Sequence, residues 1–140
     1  MALDRDAPIP DDIRRQVRER SRALGFFGMT QPVEFGGTAA GPMAMVVARE
    51  AFAAANSPLT PSVFGPGHGV LHAAEGQLRE HYLEPLLRGE KTGAWAFTEP
   101  SAPDISDRPT WAKRDGNDLI ITGRKSYVSG GATADYYHVF

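Results

Sequence analysis

The chain contains no cysteine, which excludes disulfide frameworks, thiolate catalysis and cysteine-ligated zinc. Basic residues are not in excess: 15 Lys and Arg stand against 17 Asp and Glu, a formal net charge of −2. A mainly electrostatic nucleic-acid binder carries a basic surplus, so no nucleic-acid partner is expected. No apolar run approaches the ~20 residues of a membrane span. The opening MALDRDAPIPDD lacks the apolar centre of a signal peptide. These absences predict a soluble, cytoplasmic protein. No GxSxG elbow occurs, so serine hydrolase chemistry has no nucleophile in the required turn. Gly65-Pro66-Gly67-His68-Gly69 lacks the Lys-Ser/Thr ending of a phosphate loop and reads as a flexible connection.

What is present fits one ordinary domain or a piece of a larger one: 140 residues, 41% of them hydrophobic. Fifteen glycines and 11 prolines punctuate the whole length rather than forming one linker. Residues 1–10 read as an extended arm. Pro10-Asp11-Asp12 opens a helix, with two carboxylates at the positive end of its dipole. Ile13, Val17 and Leu24 define its apolar face, the five arginines between 14 and 22 its solvated face, and Gly25 its end. Phe26 to Gly41 is a folded connection. Pro42 to Asn56 is a second helix, apolar almost all round, as a centrally buried helix is. Shorter helices follow at His68–Ala74, closed by Gly76, and at Gln77–Leu83, broken by Pro85. Leu86 to Gly89 adds one more turn.

Beyond Lys91 the pattern turns to short aromatic and β-branched runs. Trp95–Thr98 reads as a strand bounded by Pro100. Thr110–Arg114 and Leu119–Thr122 read as strands around Asp115-Gly116-Asn117-Asp118. Lys125–Ser129 continues the Leu119–Thr122 strand, and Tyr136–Phe140 completes a set of about four. The fold class is therefore α+β: an amino-terminal all-α domain over 1–91 and part of an antiparallel β-domain over 92–140. Four strands with no second layer to cover them predict that the sequence continues in a longer protein or a complementing chain.

Two local arrangements invite chemistry. His68 and His72, at i and i+4, could face one metal ion from a helix, but no HExxH carboxylate completes the pattern. No metal is expected. Glu99 and Asp104 could pair as acid and base, although carboxylates in a polar loop more often serve turns and caps.

An ordered set of motifs is more specific than either arrangement. Leu86-Leu87-Arg88-Gly89-Glu90 precedes Trp95-Ala96-Phe97-Thr98-Glu99-Pro100. Gly123-Arg124-Lys125-Ser126-Tyr127-Val128-Ser129-Gly130-Gly131 and Ala134-Asp135 follow. Earlier stand Leu24-Gly25-Phe26-Phe27-Gly28 and Pro32-Val33-Glu34-Phe35-Gly36-Gly37. From about residue 11 to 140 this order resembles the acyl-CoA dehydrogenase family. Asn56-Ser57-Pro58-Leu59 resembles its long-chain branch.

The resemblance implies an amino-terminal helical domain and the first part of a middle β-domain, with the carboxy-terminal helical domain absent. It implies FAD as cofactor. A flavin offers hydrogen-bonding edges around an apolar plane, so the implied cofactor-binding residues are Trp95, Phe97 and Thr98 on one segment and Tyr127, Val128 and Ser129 on the other. Tyr127 stands where the family often has tryptophan, and Ser129 matches the hydroxyl beside the flavin. The family's Gly-Ser-Asp after Thr-Glu-Pro is replaced by Ser101-Ala102-Pro103-Asp104-Ile105-Ser106-Asp107. Pro103 removes a backbone donor and Asp104 brings an anion. With a two-residue insertion, Ser106 takes the substrate-contacting serine's place.

The family oxidises an acyl-CoA to the trans-2-enoyl-CoA and passes electrons to an electron-transfer flavoprotein. Its catalytic glutamate lies in the carboxy-terminal domain, so the resemblance implies no catalytic residue within 1–140. Glu99 keeps a structural place in its motif, and the isolated chain is expected to be inactive. A homo-oligomer or a complementing carboxy-terminal chain is the expected assembly. Two other readings stay open: a flavin monooxygenase or nitroalkane oxidase of the same fold, and a non-catalytic partner or remnant that binds another chain.

Overall fold

In the computed structural model, which describes residues 9–67, 69–100 and 109–140, Asp11 and Asp12 occupy the first turn of α1 (Asp11–Ala23) and Arg20 and Arg22 its last. Each charge thus meets the helix end of opposite polarity. Leu24 N–H returns to Arg20 O, Gly25 N–H returns to Arg22 O, and Gly25 takes φ +78° beyond the helix. The buried position on α1 is Ser21, whereas Ile13 and Leu24 are exposed. Val17 and Ser21 lie one turn apart on the same row, while Leu24 sits past the last helical residue and leaves that row. The Ser21 hydroxyl donates to Val63 O at 2.5 Å, which satisfies a polar group in an apolar setting.

The chain divides into two compact units, Met1–Glu90 and Lys91–Phe140. In the first, α2 (Pro42–Ala54) and α3 (Pro61–Phe64) join α1, with a 3-10 turn at Val33–Phe35. Met29, Val63 and Phe64 are buried together, with Val17, Phe26, Met45, Ala48 and Phe52 packed against them. Phe52 stands edge-on to both Phe26 and Phe64, at 5.4 Å in each case. The expected central burial of α2 is not observed. Met45, Ala48 and Phe52 turn inward, but Met43, Val46 and Val47 remain exposed. Burial on every side needs neighbours on every side, and the described residues supply one.

Two more expectations need correction. Val70–Ala73 forms a single 3-10 turn rather than a longer helix, and His68 lies outside the described residues. Pro85 does not break the following helix. α4 (Gly76–Leu78), a π turn (Arg79–Leu83) and α5 (Glu84–Leu87) run on without a gap. Glu84 N–H reaches back to Arg79 O, and this widened turn accommodates the prolyl residue that lacks a donor. Leu83, in the π turn, is fully buried.

In the second unit, β1 (Gly93–Ala96) pairs with β4 (Tyr136–Val139), and β2 (Trp111–Asp115) with β3 (Asp118–Thr122). A helical region followed by a β region matches the expected class. The strand pairing departs from the expected antiparallel pattern: β2 and β3 are antiparallel, but β1 and β4 are parallel. A tight turn at Gly116-Asn117 joins the first pair, whereas the long connection between β1 and β4 permits a parallel crossover. Lys125–Ser129 forms no strand. Tyr127 has φ +56°, outside the extended region a ladder needs.

At the start of β1 the Asp135 carboxylate accepts Thr92 N–H at 2.7 Å and the Thr92 hydroxyl at 3.2 Å. Asp135 N–H returns to Thr92 O at 2.9 Å. This exchange sets Gly93 opposite Tyr136. A Cβ on Gly93 would come within 2.6 Å of the Tyr136 ring, so a side chain there would displace that ring.

Candidate functional site

Alternation along β1 buries Ala94 and Ala96 and leaves Trp95 exposed; Phe97, the next residue on the same face, is also exposed. Trp95 stacks on Phe140 at 5.2 Å and lies 5.4 Å from His138. Phe97 meets Phe140 edge-on at 5.4 Å. Burial pushes the His138 imidazole below its ordinary pKa.

After Ala96 the ladder stops, and side chains take over. Thr98 is exposed, and its carbonyl accepts the Ser126 N–H at 2.8 Å. Lys125 Nζ donates to Phe97 O at 3.3 Å and to Glu99 Oε1 at 2.5 Å. Glu99 is only 3% exposed and also accepts the Thr110 N–H at 3.2 Å. Its Oε2 has no hydrogen-bond partner among the described residues. Burial alone would raise the Glu99 pKa, but hydrogen bonds from Lys125 and Thr110, with the lysine charge, outweigh it and hold the carboxyl below the usual glutamate value.

Tyr127 follows this junction and is 92% exposed. Val128 is half-buried, its carbonyl accepting Gly131 N–H at 2.9 Å, and Ser129 is exposed. The structure therefore joins the Thr98 segment to the segment carrying Tyr127, Val128 and Ser129. Trp95 and Phe97 gather with Phe140. Ser106 and Asp104 lie outside the described residues, so neither the substrate contact nor the Glu99–Asp104 pair is described.

Sequence reasoning missed the aromatic partners His138 and Phe140 and the Glu99–Lys125–Thr110 contact. The second joins residues 26 positions apart through segments that meet only in the folded chain, so no local pattern signalled it.

The helical unit holds a cavity of about 240 Å³ whose lining includes Arg22, Phe27, Gln31, Phe35, Leu87 and Arg88, none of them a residue predicted for the site. Arg22 is not simply solvated, since it donates to Leu87 O at 3.1 Å and lies over the Phe27 ring. His72 Nε2 lies 2.5 Å from Gln31 Oε1, and Gln31 Nε2 donates to Pro66 O at 2.8 Å. No group of three or more His, Cys, Asp or Glu residues is placed to hold a metal among the described residues. No helix among them is long and apolar enough to cross a membrane.

Residues 2–90 match the family model described as acyl-CoA dehydrogenase, N-terminal domain. The chain is 33% identical over 143 residues to a 3-(aryl)acrylate reductase of Clostridium sporogenes, covering 99% of this chain and 37% of that protein. It is 39% identical over 111 residues to acyl-CoA dehydrogenase FadE12 of Mycobacterium tuberculosis, covering 76% of this chain and 29% of the relative. The crystal structure of glutaryl-CoA dehydrogenase from Mycobacterium smegmatis superposes with a TM-score of 0.69 at 26% identity, over 90% of this chain and 34% of the other. The chain thus spans well under half the length of these proteins. From its helical unit and the fold it shares with them, the chain belongs to the acyl-CoA dehydrogenase family.

Proposed function

We propose that this chain supplies the amino-terminal helical domain and the first β segments of a flavoprotein that oxidises an acyl-CoA to the trans-2-enoyl-CoA, with electrons leaving to an electron-transfer flavoprotein. The observation that carries the reading is the junction of Thr98 O with Ser126 N–H, which sets two family motifs side by side. The residues around it fit FAD. Thr98 and Ser129 offer exposed hydroxyls, Tyr127 and Trp95 offer aromatic faces, and Phe97 and Val128 add apolar surface. FAD bound there would supply the acceptor for the hydride from the β carbon.

This chain's own part is to bind and orient. Thr98 and Ser129 would hydrogen-bond the ring's polar edge, Tyr127 and Trp95 would shield its plane from water, and Ser106 would contact the acyl-CoA. Proton abstraction needs a free carboxylate, and Glu99 is buried against Lys125. We therefore assign the base to a part of the protein outside these residues, and propose a homo-oligomer or a complementing carboxy-terminal chain as the assembly. Similarity to an aryl acrylate reductase favours one variation, the same chemistry run as enoyl reduction.

The purified 140-residue chain with FAD, acyl-CoA and an artificial acceptor is expected to show no turnover. Co-expression with a carboxy-terminal part from a relative is expected to give yellow protein that reduces the acceptor. A colourless complex would instead support a binding role without catalysis, and turnover by the chain alone would overturn the assignment of the base.

A further inference from the structure

β1 ends at Ala96, yet residues 97–99 remain fastened beyond it. Three bonds hold it: Lys125 Nζ to Phe97 O, Ser126 N–H to Thr98 O, and Lys125 Nζ to Glu99 Oε1. The Glu99 carboxylate also takes Thr110 N–H, so three separate segments meet on one buried acid. The approach is close, because a Cβ on Gly123 would lie 2.2 Å from the Thr110 hydroxyl oxygen.

Immediately after this fastening comes Tyr127 at φ +56°, a conformation that costs free energy for any residue with a Cβ. Strain of this kind persists only where its surroundings over-determine it. Lys125 and Ser126 tether the turn on one side, and the Val128 O to Gly131 N–H bond closes it on the other. The Lys125 side chain is 10% exposed and that of Glu99 fully buried. Such a pair surrenders most of its Coulomb gain to desolvation. Its net stabilisation is therefore a poor reason for its presence, and fixing a register is a better one.

We propose that Glu99 and Lys125 are positioning residues whose ion pair fastens the end of β1 to the 123–129 segment and thereby holds Tyr127 in its left-handed turn, ring outward. What Tyr127 and Ser129 then meet rests on the flavin reading above; the fastening itself does not.

Nuclear magnetic resonance on the full chain tests it, through Ser126 amide exchange and the Tyr127 one-bond Cα–Hα coupling, which separates positive from negative φ. Lys125→Met and Glu99→Gln each leave one buried partner alone and are prone to unfold the unit. The double variant Glu99→Gln/Lys125→Met removes both charges and keeps similar volume, which is usually tolerated. The expected result is that the double variant keeps its β2–β3 amide protection. It exchanges the Ser126 amide at least about tenfold faster, as a locally opened segment does, and its Tyr127 coupling moves to a conformationally averaged value. Lys125→Arg, which retains the charge, is expected to recover part of both signals. A double variant with intact β2–β3 protection, a protected Ser126 and an unchanged Tyr127 coupling would overturn the proposal. Failure of the complemented wild-type protein to retain FAD would sink the flavin reading and leave this result standing.

Discussion

Ser21 and Leu83 show how single side chains hold the helical unit. Ser21→Ala leaves Val63 O buried without its donor, and urea denaturation is expected to register a loss of about 1–3 kcal/mol. Leu83→Ala opens a cavity at a fully buried position and is expected to cost about 2–5 kcal/mol by the same measurement. Tyr127 should behave in the opposite way. Its ring is exposed and its backbone left-handed, so Tyr127→Gly is expected to leave stability unchanged or raise it by up to about 1 kcal/mol. FAD retention in the complemented protein is expected to fall. At this scale the order of motifs pointed to the segments of Thr98, Tyr127 and Ser129, and the structure brings those two segments together through Ser126 N–H and Thr98 O. Partners were not legible. Nothing in a string shows that Glu99 faces Lys125, because that contact depends on two segments meeting in space.

The ends of α1 and the start of α2 proved readable because their causes are local. Asp11, Asp12 and Gly25 bracket α1 by charge and by φ, and Pro42 starts α2. Strand pairing is non-local, and there the expected antiparallel sheet gave way to a parallel β1–β4 pair. The Thr92–Asp135 exchange that begins this pair is pH-sensitive. The Thr92 N–H is the main influence that lowers the Asp135 pKa in the folded chain, below an unfolded value of about 3.9. The stabilisation is therefore fully present above that unfolded value and is lost as pH falls through the folded one. Proton-detected titration is expected to show the Thr92 amide losing its shifted resonance as acidification passes below the unfolded value and reaches the lowered folded one, ahead of the β2–β3 amides. Gly93→Ala is expected to disrupt the same pair by collision with the Tyr136 ring, read as lost β1 amide protection while β2–β3 persists.

Across the chain, apolar side chains remain uncovered: Met43, Val46 and Val47 on α2, and Trp111, Leu119, Ile120 and Ile121 on the hairpin. Exposed apolar patches mark surfaces that bind something. The isolated chain is expected to enhance the fluorescence of a hydrophobic dye, and co-expression with a carboxy-terminal part from a relative is expected to suppress it; equal signals would count against a complementing surface. α2 is apolar almost all round, with Arg49 and Glu50 its charged residues, and among the described residues no layer covers its outer side, so the full burial expected of it is not met. The parallel β1–β4 pair has a kinetic corollary. The β2–β3 hairpin closes between neighbours in sequence, whereas Gly93 must wait for Tyr136. Bringing distant partners together demands more chain entropy before any contact repays it. On a ribosome β1 therefore emerges with its edge open, the hairpin zips first, and the aromatic cluster around Trp95 assembles only when Phe140 leaves the exit tunnel.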